Sequence, residues 1–153
     1  MAINNDIIWV FKKFHDLTVD ELYDILTLRS RVFVVEQQCI FLDMDGMDKQ
    51  AHHLAGYANG QLMASTRILA DGIAYKGYPS IGRVVTAPEA RGKAYGFRLM
   101  EESIIRLEDL YGKIPIKIGA QLYLKKFYES LGFEQSGDIY LEDGIEHIPM
   151  IRA

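Results

Sequence analysis

The chain has 153 residues, 49% of them hydrophobic, with 17 Lys and Arg against 21 Asp and Glu and a formal net charge of −4 at pH 7. That is enough chain for one domain, residues 1–153, with a sizeable core, and an acidic balance without any basic run excludes a nucleic-acid surface spread over the whole molecule. The single cysteine, Cys39, excludes an internal disulfide framework and fits a reducing compartment, so a cytoplasmic location is expected and Cys39 reads as a small packed residue.

Ile7 to Phe14 reads as a first strand. Its apolar run, Ile7 to Phe11, is too short to span a bilayer and lacks the basic start and cleavage site of an export signal, so no membrane or targeting segment is expected. Thr18 and Glu21 have the spacing of a capping box, flanked by Leu17 and Leu22, so a helix starts at Thr18 and carries Leu22, Ile25 and Leu26 on one face. The periodicity then dissolves through residues 29–48, which are dense in acidic side chains after Glu36 and read as a surface loop with a short helix. Within it, D-M-D-G-M-D (Asp43 to Asp48) lacks the twelfth-position glutamate of a calcium loop, so solvated carboxylates and no metal are expected.

His53 to Ala58 and Leu62 to Leu69 are short apolar runs joined by Asn59-Gly60, a hairpin signal. Pro79 to Thr86 is a further strand, and Tyr95 to Tyr111 a helix with Met100, Ile104, Leu107 and Tyr111 along one face and Gly112 as its stop. Ile114 to Ala120 then reads as a strand, Leu122 to Leu131 as a helix closed by Gly132, and the tail from Glu134 as two strands about Asp143-Gly144. The fold class is mixed α/β.

The stretch Ile81 to Met100 carries the chemistry. An apolar strand, a proline break, a loop of small and basic residues and an amphipathic helix follow one another, and the mouth of such a helix presents unpaired backbone N–H groups and partial positive charge. Gly92, Ala94 and Gly96 alternate with Arg91, Lys93 and Tyr95, so small residues make room for a pyrophosphate while basic ones add charge. The dinucleotide fingerprint G-x-G-x-x-G and the triphosphate loop G-x-x-x-x-G-K-[ST] are both missing.

R-G-K-A-Y-G, Arg91 to Gly96, resembles the coenzyme A loop of the GNAT acetyltransferases, Q/R-x-x-G-x-G/A, with Ala94 where that pattern has its middle glycine. An alanine there implies a backbone conformation that alanine tolerates. Lys126 to Phe133 is similar to the F-Y-x-x-x-G-F of the same superfamily, and the order of elements matches its fold over the whole chain. Val32 to Cys39, Asp43 to Asp48, His52 to Leu54 and Glu142 to Met150 look like the ElaA group within it.

The resemblance implies a central twisted, mostly antiparallel sheet with splayed parallel fourth and fifth strands, flanked by helices, and an acetyl-CoA or coenzyme A co-substrate between those strands. Val84, Val85 and Thr86 would hold pantetheine, Arg91, Gly92, Lys93, Ala94, Tyr95, Gly96 and Phe97 the phosphates, and Gln121 and Phe127 would flank the arm. Acyl transfer needs a donor at the thioester carbonyl, for which a backbone N–H near Val85 is the candidate, and a proton donor for the thiolate, for which Tyr128 occupies the superfamily's usual position. Where many members place a carboxylate on the fourth strand this chain has Arg83, so the base stays open among Glu36, Asp43, Asp45, Asp48, His53 and His147, with Glu36 and His53 as candidates. One of His52 and His53 is expected to face the cleft. Arg83 would hold a substrate carboxylate or pair with an acid of the 36–48 loop. Asp43 and His147 complete the acceptor side, and the acidic loop suits a cationic acceptor, either a small amine or a protein amine. A non-catalytic acyl-CoA-binding module is the alternative, and a homodimer is left open as the assembly.

Overall fold

The computed structural model describes residues 7–153. The capping box is formed: Thr18 Oγ1 accepts from the Glu21 N–H at 3.0 Å and Glu21 Oε1 accepts from the Thr18 N–H at 2.8 Å, starting α1 (Val19–Arg29). The helix does not dissolve where its apolar face fades. It runs on as a π-helix, Ser30–Glu36, and keeps burying side chains, with Ile25 and Leu28 followed by Val32 and Phe33. Changing the turn from 3.6 residues shifts the phase of the buried positions, which is why the spacing reads as irregular although the backbone stays helical. The expected loop begins only after it.

Strand β1 (Ile8–Lys13) leads an antiparallel sheet in the order β1-β2-β3-β4, with β2 (His52–Ala58), β3 (Gln61–Leu69) and β4 (Ser80–Thr86). Asn59 and Gly60 both have positive φ, +52° and +75°, the signature of the two-residue hairpin turn expected between β2 and β3. After α2 (Tyr95–Tyr111) a second sheet follows, built on β8 (Ile145–Arg152), which pairs antiparallel with β5 (Ile116–Gln121), β6 (Phe133–Gln135) and β7 (Tyr140–Glu142). The helix between β5 and β6 is shorter than its sequence suggests, a 3-10 turn at Leu122–Leu124 and then α3 (Lys125–Glu129). Strand β6 was not anticipated, since only three residues pair and only Phe133 of them is buried.

Two features position the cleft. The N–H of Lys117, at the start of β5, donates to the Pro79 carbonyl, just before β4, at 3.1 Å; beyond that bond the parallel strands β4 and β5 belong to different sheets and splay apart. In β4 the register against β3 slips, Ser65 facing Val85 while Arg67 faces Gly82, so β4 carries an extra residue there, and Arg83 in the bulge has φ +48°. Helix α2 covers the junction, burying Met100, Ile104 and Leu107 against Ile68 and Ile81 of the first sheet and Ile118 and Ile148 of the second. One buried polar pair crosses that interface: Ser103 Oγ donates to the Leu99 carbonyl, so Thr66 Oγ1 is the donor in its 2.7 Å bond to Ser103.

The D-M-D-G-M-D segment departs most from expectation. Two of its three carboxylates are not solvated: Asp43 and Asp48 are buried and bound to arginines from three elements. Arg29 of α1, 1% exposed, reaches Asp43 at 2.7 Å and Asp48 at 2.8 Å; Arg67 of β3 reaches Asp45 at 2.7 Å and Asp48 at 3.1 Å; Arg83 of β4 reaches Asp43 at 2.9 Å. Burial alone would raise the Asp48 carboxyl, but hydrogen bonds and charge from Arg29 and Arg67 hold it below its usual range, and Arg67 does the same for the more exposed carboxyl of Asp45. His53 belongs to this knot, with Nε2 donating to the Asp48 carbonyl at 2.9 Å. Acid should dissolve it: these carboxyls, depressed in the folded state, contribute stability above the unfolded aspartate pKa of about 4 and lose it as pH falls through their lowered values. Arg29→Met, which takes one of two arginine partners from each of two buried carboxylates, should cost about 3–5 kcal/mol in urea unfolding at neutral pH; a loss within 1 kcal/mol of zero would show the knot is not structural.

Candidate active site

The splay of β4 and β5 opens a cleft of about 470 Å³. Val84, Val85 and Thr86 form one wall and Gln121 and Phe127 the other, with Arg91 and Gly96 at the end where α2 begins and Tyr128 also lining it. Glu36, Arg83 and His147 line it too, so residues separated by over a hundred positions in sequence meet in one cavity. His52, His53 and Asp43 do not line it, correcting the expectation that one of the histidine pair faces the cleft and that Asp43 meets the acceptor there. Both His53 and Asp43 are instead committed to the ionic knot.

At the mouth of α2 the chain turns through Gly92, φ +82°, and Ala94, φ +59° and ψ +21°. Alanine therefore holds the left-handed conformation that glycine takes without strain, the reverse of the expected accommodation. Ala94 is the N-cap and offers no side-chain acceptor, and the first turn holds no acidic residue, so the leading N–H groups of α2 are left for an external anion. A Cβ on Gly96 would sit 3.7 Å from the Phe127 ring, an ordinary contact, so this glycine is not required by packing. Tyr95 is buried in the core cluster that holds Ile25, Leu28 and Val85 and Phe97 is partly exposed, while Gly92 and Lys93 lie on the exposed loop outside the cleft lining.

Arg91 is already engaged. Its guanidinium makes a bidentate pair with Glu36 at 2.6 and 2.9 Å, and Arg31 and Glu89 form a second pair beside it at 2.8 and 3.1 Å. The hydrogen bond from Arg91 holds the Glu36 carboxyl below its usual range.

Tyr128 is 5% exposed, packed edge-on to Phe127 and Phe133 at 5.1 and 5.9 Å between centroids. Burial, with a smaller contribution from Tyr123, pushes its phenol above the ordinary value, so it stays protonated at neutral pH. Arg83 is pinned from two sides, by Asp43 and by the Phe33 ring 4.8 Å below its guanidinium. That is the pairing alternative of the two readings of Arg83.

Sequence reasoning missed Glu142, which lines the cleft beside His147. Its signal was available: a two-residue turn at Asp143-Gly144 sets Glu142 opposite Ile145 and Tyr140 opposite His147, which puts Tyr140, Glu142 and His147 on one face. It also missed Gly119, where a Cβ would run into the Tyr140 hydroxyl, with that of Tyr75 3.1 Å away. The glycine lets two tyrosines close over β5.

A family model described as an acetyltransferase (GNAT) domain matches residues 27–153. The chain belongs to this GNAT family. A UPF0039 protein from Synechocystis is 40% identical over 147 residues, 95% of each chain. Among solved structures, an acyl-CoA N-acyltransferase from Pseudomonas aeruginosa superposes with a TM-score of 0.91 at 42% identity, covering 97% of this chain and 100% of the other. Escherichia coli ElaA superposes at 0.90 with 37% identity and the same coverage. GNAT membership and the ElaA-like group read from the motifs therefore hold.

The two loop conformations can be separated by substitution. Gly92→Ala forces a side chain into the left-handed region and should cost about 1–2 kcal/mol in urea unfolding, whereas Ala94→Gly should be neutral or stabilising by up to about 1 kcal/mol. Equal effects of the two would mean that Ala94 does not hold its left-handed φ in solution.

Proposed function

We propose that the protein is an acetyl-CoA-dependent N-acetyltransferase that passes an acetyl group directly from coenzyme A to an amine. The observation that carries this reading is one cleft with an uncapped helix mouth at one end and a buried protonated phenol on its wall. The residues present fit the co-substrate. The unpaired N–H groups of α2, with Arg91 and Lys93, suit a diphosphate, and the backbone of Val84, Val85 and Thr86 along the open side of β4 suits the two amides of pantetheine. A cytoplasmic location accords with the lone thiol of Cys39.

In the transfer, the amine lone pair attacks the thioester carbon, and the developing oxyanion takes a hydrogen bond from the backbone N–H of Val85. The role of Tyr128 follows from its place on the cleft wall and its protonated phenol. A thiol of pKa near about 8.5 is a stronger acid than this phenol, so complete transfer from Tyr128 to the thiolate would run uphill. Tyr128 instead donates a hydrogen bond that stabilises the departing sulfur. The charge of the 43–48 loop gives no preference for a cationic acceptor, because its three aspartates are neutralised by three arginines.

Thermal unfolding with acetyl-CoA, coenzyme A, ATP and NADH tests the co-substrate site: at 100 times its dissociation constant a ligand adds about 2.7 kcal/mol, or about 5–11 °C here. Shifts with the two coenzyme forms alone are expected; no shift would remove the reading. Thiol release with benzylamine, putrescine, glycinamide and a lysine-containing tetrapeptide then separates a transferase from a non-catalytic acyl-CoA-binding module. Tyr128→Phe should lower turnover about 100-fold while leaving coenzyme affinity unchanged. Glu36→Gln, which releases Arg91, should tighten coenzyme A binding about two- to five-fold by calorimetry; weaker binding would show that Glu36 helps to hold the co-substrate.

A further inference from the structure

The transfer needs a group that takes a proton from the acceptor, because an alkylamine reaches the enzyme as an ammonium with no free lone pair. Strand β4 supplies no carboxylate at Arg83, Glu36 is bound to Arg91, and Asp43, Asp45, Asp48 and His53 are held in the knot. Of the carboxylates and imidazoles that line the cleft, two are left, Glu142 and His147.

His147 sits on β8 opposite Gln121 of β5 and is 7% exposed. Its Nδ1 lies 2.7 Å from the carbonyl oxygen of Ile145. A carbonyl only accepts, so Nδ1 carries the proton, and the neutral ring has its lone pair on Nε2. That Nε2 faces Oε2 of Glu142 at 3.4 Å. Two acceptors at that separation repel unless a donor joins them, and an ammonium in the cleft is such a donor. The ring is held in place by stacking on Tyr140, at 5.6 Å and 28°.

We propose that His147 is the proton acceptor of the reaction and that Glu142 is its positioning partner, the two together gripping a primary ammonium. The inference rests on the N-acetyltransferase reading above. The other ionisable groups around the ring are Arg83 of β4, Asp143 of the turn and Cys39, which line a recess of about 40 Å³ with His147 and Glu142, and Tyr140 of β7. Arg83 does not compete for the ammonium, being cationic and paired with Asp43.

The atoms balance as follows. The ammonium donates to Nε2 and to the Glu142 carboxylate, and one N–H bond breaks as Nε2 takes the proton. Glu142 stabilises the resulting imidazolium, which later loses that proton to solvent. The freed lone pair forms the C–N bond, the C–S bond breaks with its electrons on sulfur, and the second proton shed by nitrogen ends on the thiolate beside Tyr128. The products are the acetamide, coenzyme A as thiol, and one proton.

The test combines spectroscopy with kinetics. Nitrogen–proton correlation spectra of ring-labelled protein, with His147 assigned by its loss in His147→Gln, should show the Nδ1–H tautomer at neutral to mildly basic pH; an Nε2–H tautomer overturns the assignment whether or not an acceptor is known. In thiol-release assays, His147→Gln should lower turnover of the best of the four amines about 100-fold or more, with coenzyme A affinity unchanged as evidence of folding. Hydroxylamine, unprotonated near neutral pH, needs no base, so the same variant should acetylate it within about five-fold of wild type. Equal losses with both nucleophiles would overturn the base role. Glu142→Gln, a substitution on a half-exposed side chain, should raise KM for the amine several-fold and lower kcat several-fold, as the ammonium loses one grip and the imidazolium its carboxylate; no change in either would remove Glu142. Silence of the wild type with every nucleophile would defeat the transferase reading itself, and the assignment of His147 with it.

Discussion

Three arginines and three aspartates neutralise one another under the loop that follows the π-helix, and the arrangement of the cleft depends on that exchange. Arg29 belongs to α1, Arg67 to β3 and Arg83 to β4, while the three carboxylates come from six consecutive residues. A short loop thus ties a helix to two adjacent strands. Buried ion pairs are poor sources of net stability because desolvation offsets most of their attraction, but they punish misplacement severely. Their effect here is positional: Asp43 joins Arg29 to Arg83, so the bulge of β4 is fixed relative to α1 and cannot drift along the strand.

Cleft width is set elsewhere. One backbone hydrogen bond between Lys117 and Pro79 closes the narrow end, and α2 packs across both sheets to hold them at a fixed angle. The bulge at Arg83 then turns the β4 backbone where the splay widens, so that Val84 and Val85 line the open wall. Helix, hinge and bulge act together, and none of them contains a cleft-lining ionisable group apart from Arg83.

Much of this was legible in the residues because the signals were local. A capping box, two Asx-Gly turns and an amphipathic α2 each announce themselves within a few positions, and the loop from Arg91 to Gly96 does the same for the uncapped mouth of α2. What was lost was whatever needed partners distant in sequence. A pairing of Arg83 with this loop is one of its two sequence readings, but nothing near Asp43 or Asp48 indicates that Arg29 and Arg67 will fold onto them as well, so a buried knot reads as a solvated turn. The π-helix hides for a different reason, since periodicity of 3.6 cannot register a turn of another pitch. Ala94 shows a third limit: a residue type gives a preference, and the surrounding turn overrode it.

The pair between Glu36 and Arg91 gives the helix mouth a built-in counter-ion. A simple anion from solution, such as chloride or inorganic phosphate, must displace a carboxylate that is already tethered beside the guanidinium and so benefits from high local concentration. A diphosphate carried on a long arm faces no such handicap, because the rest of the molecule anchors it while it competes. On the proposed reading, selectivity against the small anions of the surrounding medium would arise from an attachment made within the protein, before any ligand arrives.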